Sequence, residues 1–341
     1  MIQLDLFGAP RPAMSEIAPP AEPEVEPAIK LVDPDQMDLF DARLARFREG
    51  RAAVAREELD RARSIFAELA AHGDDPVAAG ALARIAAVSA RMDATRGLPA
   101  PAGALALLAC ADELDDAGEL RDALRAALLR RAARMVQAES GDDALLAGWP
   151  VGVYYARAGD LAAARASLTA ALSRTRRTRT MYALGDVAAL EGKLAAARDC
   201  YCEALVGDPF DVPAISAIRD PAIVELPDIA RYELDIDPCP EAWSAPLGMI
   251  LGVFRIPRDP TAPGLPAEAP RSREQLDALA AAQAFTAALV AATTGRSPDQ
   301  PGPIPARRVM QRLQPGLFAA YLERRSGALR DHPASTRASP D

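Results

Sequence analysis

One set of residues returns after an interval of 33 positions. Gly152, Tyr155, Gly159, Ala164, Leu168 and Ala171 recur as Gly185, Ala188, Gly192, Ala197, Tyr201 and Ala204, and the second set closes at Pro209. This echo constrains the fold more than any single residue does. A unit of that length cannot hide its apolar face alone and has to stack on a neighbour. Small residues at fixed places let two helices approach closely, and the bulkier residue that follows fills the gap between neighbours. The spacing predicts helix–turn–helix units with turns at Gly159 and Gly192.

This pattern resembles the tetratricopeptide repeat. In the second copy Leu184-Gly185, the turn at Gly192, then Ala197, Tyr201, Ala204 and Pro209 fall on that family's spacing. The first copy has Arg176 where the closing Pro would stand, and an earlier stretch with Gly50, Ala62, Phe66 and Leu69 fits only loosely. The resemblance implies a tetratricopeptide-like α-solenoid whose concave face takes a protein ligand. In this register that face would carry Trp149, Arg157, Arg179, Tyr182 and Asp186. An aromatic pair beside arginine suits a peptide hot spot, while packing is the alternative role for Trp149 and Tyr182. The Lys/Asn set that captures C-terminal carboxylates in chaperone-binding members is not present, so that specificity is not expected.

Composition points the same way. Half of the 341 residues are hydrophobic but only 5% are aromatic, and the apolar share is mostly Ala and Leu, strong helix formers and poor strand formers. An all-α chain is expected, with a first helix capped by Asp35 and carrying Met37 to Phe47, then helices at 59–71, 77–92, 102–113, 118–138, 145–157, 161–173, 179–190 and 194–206. The domain reading is a disordered tail at 1–35, a helical-repeat array at 36–208, a capping segment at 209–256 and a Pro-rich linker at 257–270. C-terminal helices at 271–330 and a frayed tail at 331–341 complete it. Within the capping segment a helix is expected over 222–232, whereas Trp243 to Phe254 reads as neither helix nor strand. The C-terminal part should hold helices at 271–292 and 309–322. Residues 8–35 combine six prolines between Pro10 and Pro27 with four glutamates, which cannot build a core.

A pentapeptide stands at each end of that tail. Gln3-Leu4-Asp5-Leu6-Phe7 is followed by Gln36-Met37-Asp38-Leu39-Phe40. A Gln-x-Asp-Leu-Phe string resembles the linear motif by which bacterial replication and repair proteins dock on the sliding clamp. The resemblance implies that Leu and Phe anchor in an apolar groove while Gln bonds its rim. In the first copy Gly8-Ala9-Pro10 discourages helix, leaving the peptide free to extend; the alternative is a stub folded back on the body. In the second, Met37, Phe40, Leu44 and Phe47 form one helical stripe, so burial in the first helix accounts for it without a partner. A third string, Gln314-Pro315-Gly316-Leu317-Phe318, reads as a helix start.

The remaining features exclude more than they assign. Net charge is −9, which argues against wholesale coating of a duplex and leaves nucleic-acid contact weak or indirect. One basic run, Arg174, Arg176, Arg177 and Arg179 alternating mainly with Thr, could hold phosphate oxygens or an acidic partner; a solvated loop is the commoner outcome. Only Lys30 and Lys193 are lysine, a bias expected of a GC-rich bacterial genome. Cys110, Cys200, Cys202 and Cys239 have neither disulfide nor zinc spacing. No phosphate loop, nucleophile elbow or zincin motif occurs, so no catalysis, cofactor or metal is expected. Ala278 to Gly295, the longest apolar run, reads as a packed helix rather than a membrane span. A cytoplasmic adaptor joining the clamp to an unknown cargo is the leading expectation, and a helical scaffold unrelated to DNA the alternative.

Overall fold

Apolar residues spaced three and four apart predict helix after helix, and the computed structural model is mostly α-helical. It describes residues 34–71, 75–114, 120–211, 218, 220–257, 270–294 and 303–330. The first pentapeptide, the 8–33 part of the tail, the linker at 258–269 and the tail at 331–341 lie outside the described residues.

The first nine helices are α1 (Pro34–Ala55), α2 (Leu59–Ala71), α3 (Pro76–Ala94), α4 (Ala100–Asp112), α5 (Arg121–Ser140), α6 (Gly152–Arg157), α7 (Leu161–Arg174), α8 (Thr178–Leu190) and α9 (Leu194–Gly207). Their starts have local causes. Asp75 caps α3 by accepting from the Val77 and Ala78 amides at 2.9 and 3.1 Å, with Pro76 at the first helical position. Asp160 caps α7 through the Ala163 amide at 3.0 Å.

The helix expected over 145–157 is half wrong. Leu145–Leu146 (β1) and Trp149–Pro150 (β2) form a tiny antiparallel hairpin. Ala147 and Gly148 turn it with φ of 50° and 79°, a conformation that no helix contains. Only α6 remains helical in that stretch.

After α9 come α10 (Pro221–Val224), α11 (Leu226–Tyr232), a 3-10 turn at Pro240–Trp243, α12 (Ser244–Leu251), α13 (Arg273–Thr294), α14 (Pro303–Leu313) and α15 (Pro315–Arg330). The unassigned apolar run is thus a 3-10 turn leading into α12, which ends at Gly252 with φ 77°. The helix expected over 309–322 is two helices broken at Gln314, because Pro315 has no amide hydrogen to continue α14.

The body from Arg46 to the last described residue is one contact unit with two apolar clusters. The first gathers α2 to α7 with the end of α1, around Phe66, Ile85, Leu107, Leu124, Leu128 and Tyr154. The second runs from Met181 to Tyr321, around Tyr182, Tyr201, Trp243, Phe285 and Leu289. Helix α8 supplies Ala183 and Val187 to the first and Met181, Tyr182 and Ala188 to the second. The capping segment and the C-terminal helices, which the sequence reading separates, share the second core with α8 and α9. Helix α13 is long and apolar enough to span a membrane; here Phe285 and Leu289 on it are fully buried in that core.

Among the described residues three helix pairs share one register. In α1/α2, α6/α7 and α8/α9 a glycine faces a large residue 16 positions on. A Cβ at Gly50 would lie 2.7 Å from the Phe66 ring, at Gly152 2.5 Å from Leu168, and at Gly185 2.6 Å from Tyr201. Seven residues after each glycine the backbone turns through positive φ, at Glu57 (63°), Gly159 (77°) and Gly192 (75°). The next amide then bonds back five residues: Glu58 to Ala53, Asp160 to Tyr155 and Lys193 to Ala188, at 2.8–2.9 Å. Ala62, Ala164 and Ala197 sit buried where the helices come closest. The loosely fitting early stretch is therefore a full member of the set.

Candidate functional site

The five residues expected on a concave ligand face do not form one open surface. Arg177, in extended conformation, starts α8 and aims Arg179 back toward the β1–β2 hairpin. There the Arg179 guanidinium donates to Asp211 through Nε and Nη2, each at 2.8 Å, and through Nη1 to the Gly148 carbonyl at 2.8 Å. It also lies 4.8 Å from the centre of the half-buried Trp149 ring, within cation–π reach.

Asp211 is shared. Arg271, just before α13, stands 3.8 Å from it and donates to Asp208 at 2.7 and 3.3 Å. Asp208 is wholly buried, and the Arg271 side chain is only 8% exposed. The Asp208 carboxylate also accepts from the Phe210 amide at 3.1 Å. Two arginines and two aspartates thus balance one another inside the protein, joining α8, the end of α9 and the start of α13. Bonding of this quality is what offsets the cost of taking such charges out of water.

Tyr182 corrects the expected ligand face. It is fully buried and its hydroxyl donates to the Asp208 carbonyl at 3.2 Å. Burial first, then the Asp208 and Asp211 carboxylates, pushes its phenol well above the ordinary value of 10. It is a packing residue. Asp186 faces inward far enough to accept from the Tyr201 hydroxyl at 2.6 Å, which joins the two helices of that pair. Arg157 lies 5.9 Å from the Tyr154 ring centre and 3.9 Å from Asp112. The periodicity that nominated these residues reports on core packing as much as on ligand contact.

The arginine loop is largely answered from within. Arg174 reaches Asp143 at 3.5 Å and Asp142 at 3.8 Å, and Arg176 pairs with Glu203. Arg177 is half-buried, with no ion pair among the described residues. Phosphate would have to displace the two pairs, which are half-exposed and individually weak. The second pentapeptide has its backbone in α1. Further along the proposed stripe, Leu44 is 47% exposed, whereas Phe47 packs edge-on against Phe66 with centroids 5.2 Å apart.

No protein family, curated protein or solved structure matches this chain. Its sites are therefore read from their own chemistry.

Two cavities were not foreseen. One of about 320 Å³ opens between α2, α3 and α5 and is polar. Two of its arginines are paired locally: Arg63 sits 3.4 Å from Asp60 and Arg96 2.9 Å from Asp93. The other, about 300 Å³, is apolar and lies between α12, α13 and α15, with Arg324 and Arg325 at its edge. No local motif could have announced it, because three separate helices and Ile256 beyond α12 build it. The cysteines belong to the packing. Burial raises the thiols of Cys200 and Cys202, the latter to about 12, the opposite of an activated nucleophile.

Proposed function

We propose that this protein is a non-enzymatic, tetratricopeptide-like adaptor of the bacterial cytoplasm, recruited to the DNA sliding clamp through Gln3 to Phe7. The observation that carries the adaptor half is the shared register of the three helix pairs, each with a glycine–large contact and a positive-φ turn at the same interval. Stacked hairpins of this kind are a recurrent framework for extended protein-binding surfaces. The clamp half rests on the chemistry of the pentapeptide: two aliphatic residues and a phenylalanine for a groove, and an amide for its rim.

A labelled peptide spanning Met1 to Pro10 should bind purified bacterial clamp saturably, and Leu6→Ala or Phe7→Ala should weaken it at least tenfold. Full-length protein lacking residues 1–7 should be lost from a clamp pull-down. Retention of the deleted protein at the wild-type level defeats the reading. A second reading is favoured by the helical backbone at 36–40: a scaffold unrelated to DNA in which the pentapeptides are structural. It expects Leu6→Ala and Phe7→Ala to lower the melting temperature and leave clamp capture unaffected.

A further inference from the structure

The apolar cavity between α12, α13 and α15 has a floor of side chains already withdrawn from water. Met249, Ile250, Leu289 and Tyr321 are each less than a tenth exposed. Its volume of about 300 Å³ is at the small end of the ligand-pocket range of roughly 300–1,000 Å³, room for one or two bulky side chains. An open apolar hollow gains by being filled, at roughly 25 cal/mol for each Å² of apolar surface withdrawn from water.

The edge carries charge of one sign. Arg325 donates through Nη1 to the Tyr321 hydroxyl at 3.0 Å, which holds its guanidinium over the rim. Arg324 lies against Gly252 at the end of α12, where a Cβ would come within 2.5 Å of its Nη2. Gly252 thus leaves the room that the second guanidinium uses. Neither arginine has a carboxylate within 4.0 Å among the described residues. Elsewhere in this acidic chain, arginines near helix ends do find one: Arg198 has Asp220 at 2.6 Å, and Arg165 has Glu191. Two neighbouring guanidinia beside an apolar hollow are complementary to a carboxylate attached to an apolar group.

We propose that this cavity is a docking site for an acidic linear peptide of a partner protein, with a Leu or Phe side chain anchored on Met249 and Leu289 and a flanking Asp or Glu held by Arg324 and Arg325. A peptide fits better than a fatty acid. The hollow opens to solvent beside the arginines and takes one anchor side chain, while a long alkyl tail needs an enclosed channel. The site is independent of the clamp reading, since it receives a peptide rather than offering one.

Fluorescence anisotropy on the full chain tests it, using labelled Ser-Glu-Leu-Phe-Glu-Gly. Two control peptides replace both Glu by Gln, or Leu-Phe by Ala-Ala. Saturable binding at low salt is expected, weaker by at least tenfold for each control and for the double variant Arg324→Gln/Arg325→Gln. Thr293→Trp, which places a large ring at the exposed mouth, should block binding without touching either arginine, with circular dichroism reporting the fold of each variant. Absence of saturable binding overturns the proposal, as does equal binding of the Gln peptide or indifference to both variants. Decanoate that binds more tightly than the peptide would assign the hollow to a fatty acid. Self-association abolished by the double variant, with no peptide bound, would assign it to a second copy of the chain.

Discussion

The helix pairs around Gly50 and Gly185 have the same geometry and very different sequences. The later pair keeps Leu184-Gly185, Gly192, Ala197, Tyr201, Ala204 and Pro209 of the repeated pattern, whereas the earlier keeps only the glycine, one alanine, the large residue and the buried residue after it. What the two share is the physical minimum: one missing side chain, one ring to fill the space, and one positive-φ residue to reverse the chain. They differ in how they are anchored. The later pair is tied to the C-terminal helices by buried charge, through Asp208 and Arg271. The earlier is tied to α5 by a less deeply buried set, where Glu57 and Arg130, each about 15% exposed, meet at 3.2 Å and the half-exposed Arg134 joins them.

That contrast can be broken by mutation. Arg271→Ala should cost about 3–5 kcal/mol in urea unfolding, because it leaves Asp208 charged and buried without its partner; Arg134→Ala should cost below about 1 kcal/mol. Similar losses at the two sites would erase the distinction between the buried Arg271 anchor and the half-exposed Arg134 contact. Phe66→Ala and Tyr201→Ala should each cost about 3–5 kcal/mol, and a much smaller loss at Phe66 would mean that the early pair is not an equivalent unit. Gly50→Ala and Gly185→Ala should each destabilise by about 1–3 kcal/mol through overpacking.

Gly192→Ala isolates the turn. Nothing lies within 4 Å of its missing Cβ, so the expected loss of about 1 kcal/mol is purely backbone. Glu57 already bears that kind of strain, and Glu57→Gly should therefore cost less than Glu57→Ala, which keeps the strain and loses the ion pairs. The smallest effect concerns pH. Arg165, then Lys193, holds the Glu191 carboxyl at about 2, below its ordinary 4.5. A depressed carboxyl stabilises fully above its unfolded value and loses that contribution as pH falls from about 4.5 to about 2. Glu191→Gln should flatten the melting-temperature profile in that window and leave its shape near neutrality unaltered.

Most helices were legible because Ala-Leu periodicity and Asp or Pro punctuation are local. The β1–β2 hairpin was missed although Gly148-Trp149-Pro150 carried the signal: Pro150 and the positive φ of Ala147 cannot sit inside a helix. The break at Gln314 was announced by Pro315 and passed over for the apolar residues around it. The early helix pair fits the pattern only loosely in sequence because Glu57 holds a turn position that glycine holds elsewhere. Tyr182 and Arg179 depart from the expected ligand face for a different reason. Arg179 finds its partner 32 residues away at Asp211, and Tyr182 is buried under segments that no register in its own helix could foresee. The arginine-edged hollow needs α12, α13 and α15 assembled before it exists at all.

Asp208 and Arg271 lie on opposite sides of residues 258–269, and the core they guard draws on both flanks. Covalent continuity through that stretch is therefore not what holds the C-terminal helices to α8 and α9. The protein should lend itself to being expressed as two separate polypeptides divided there, which would find each other and co-purify as a single particle.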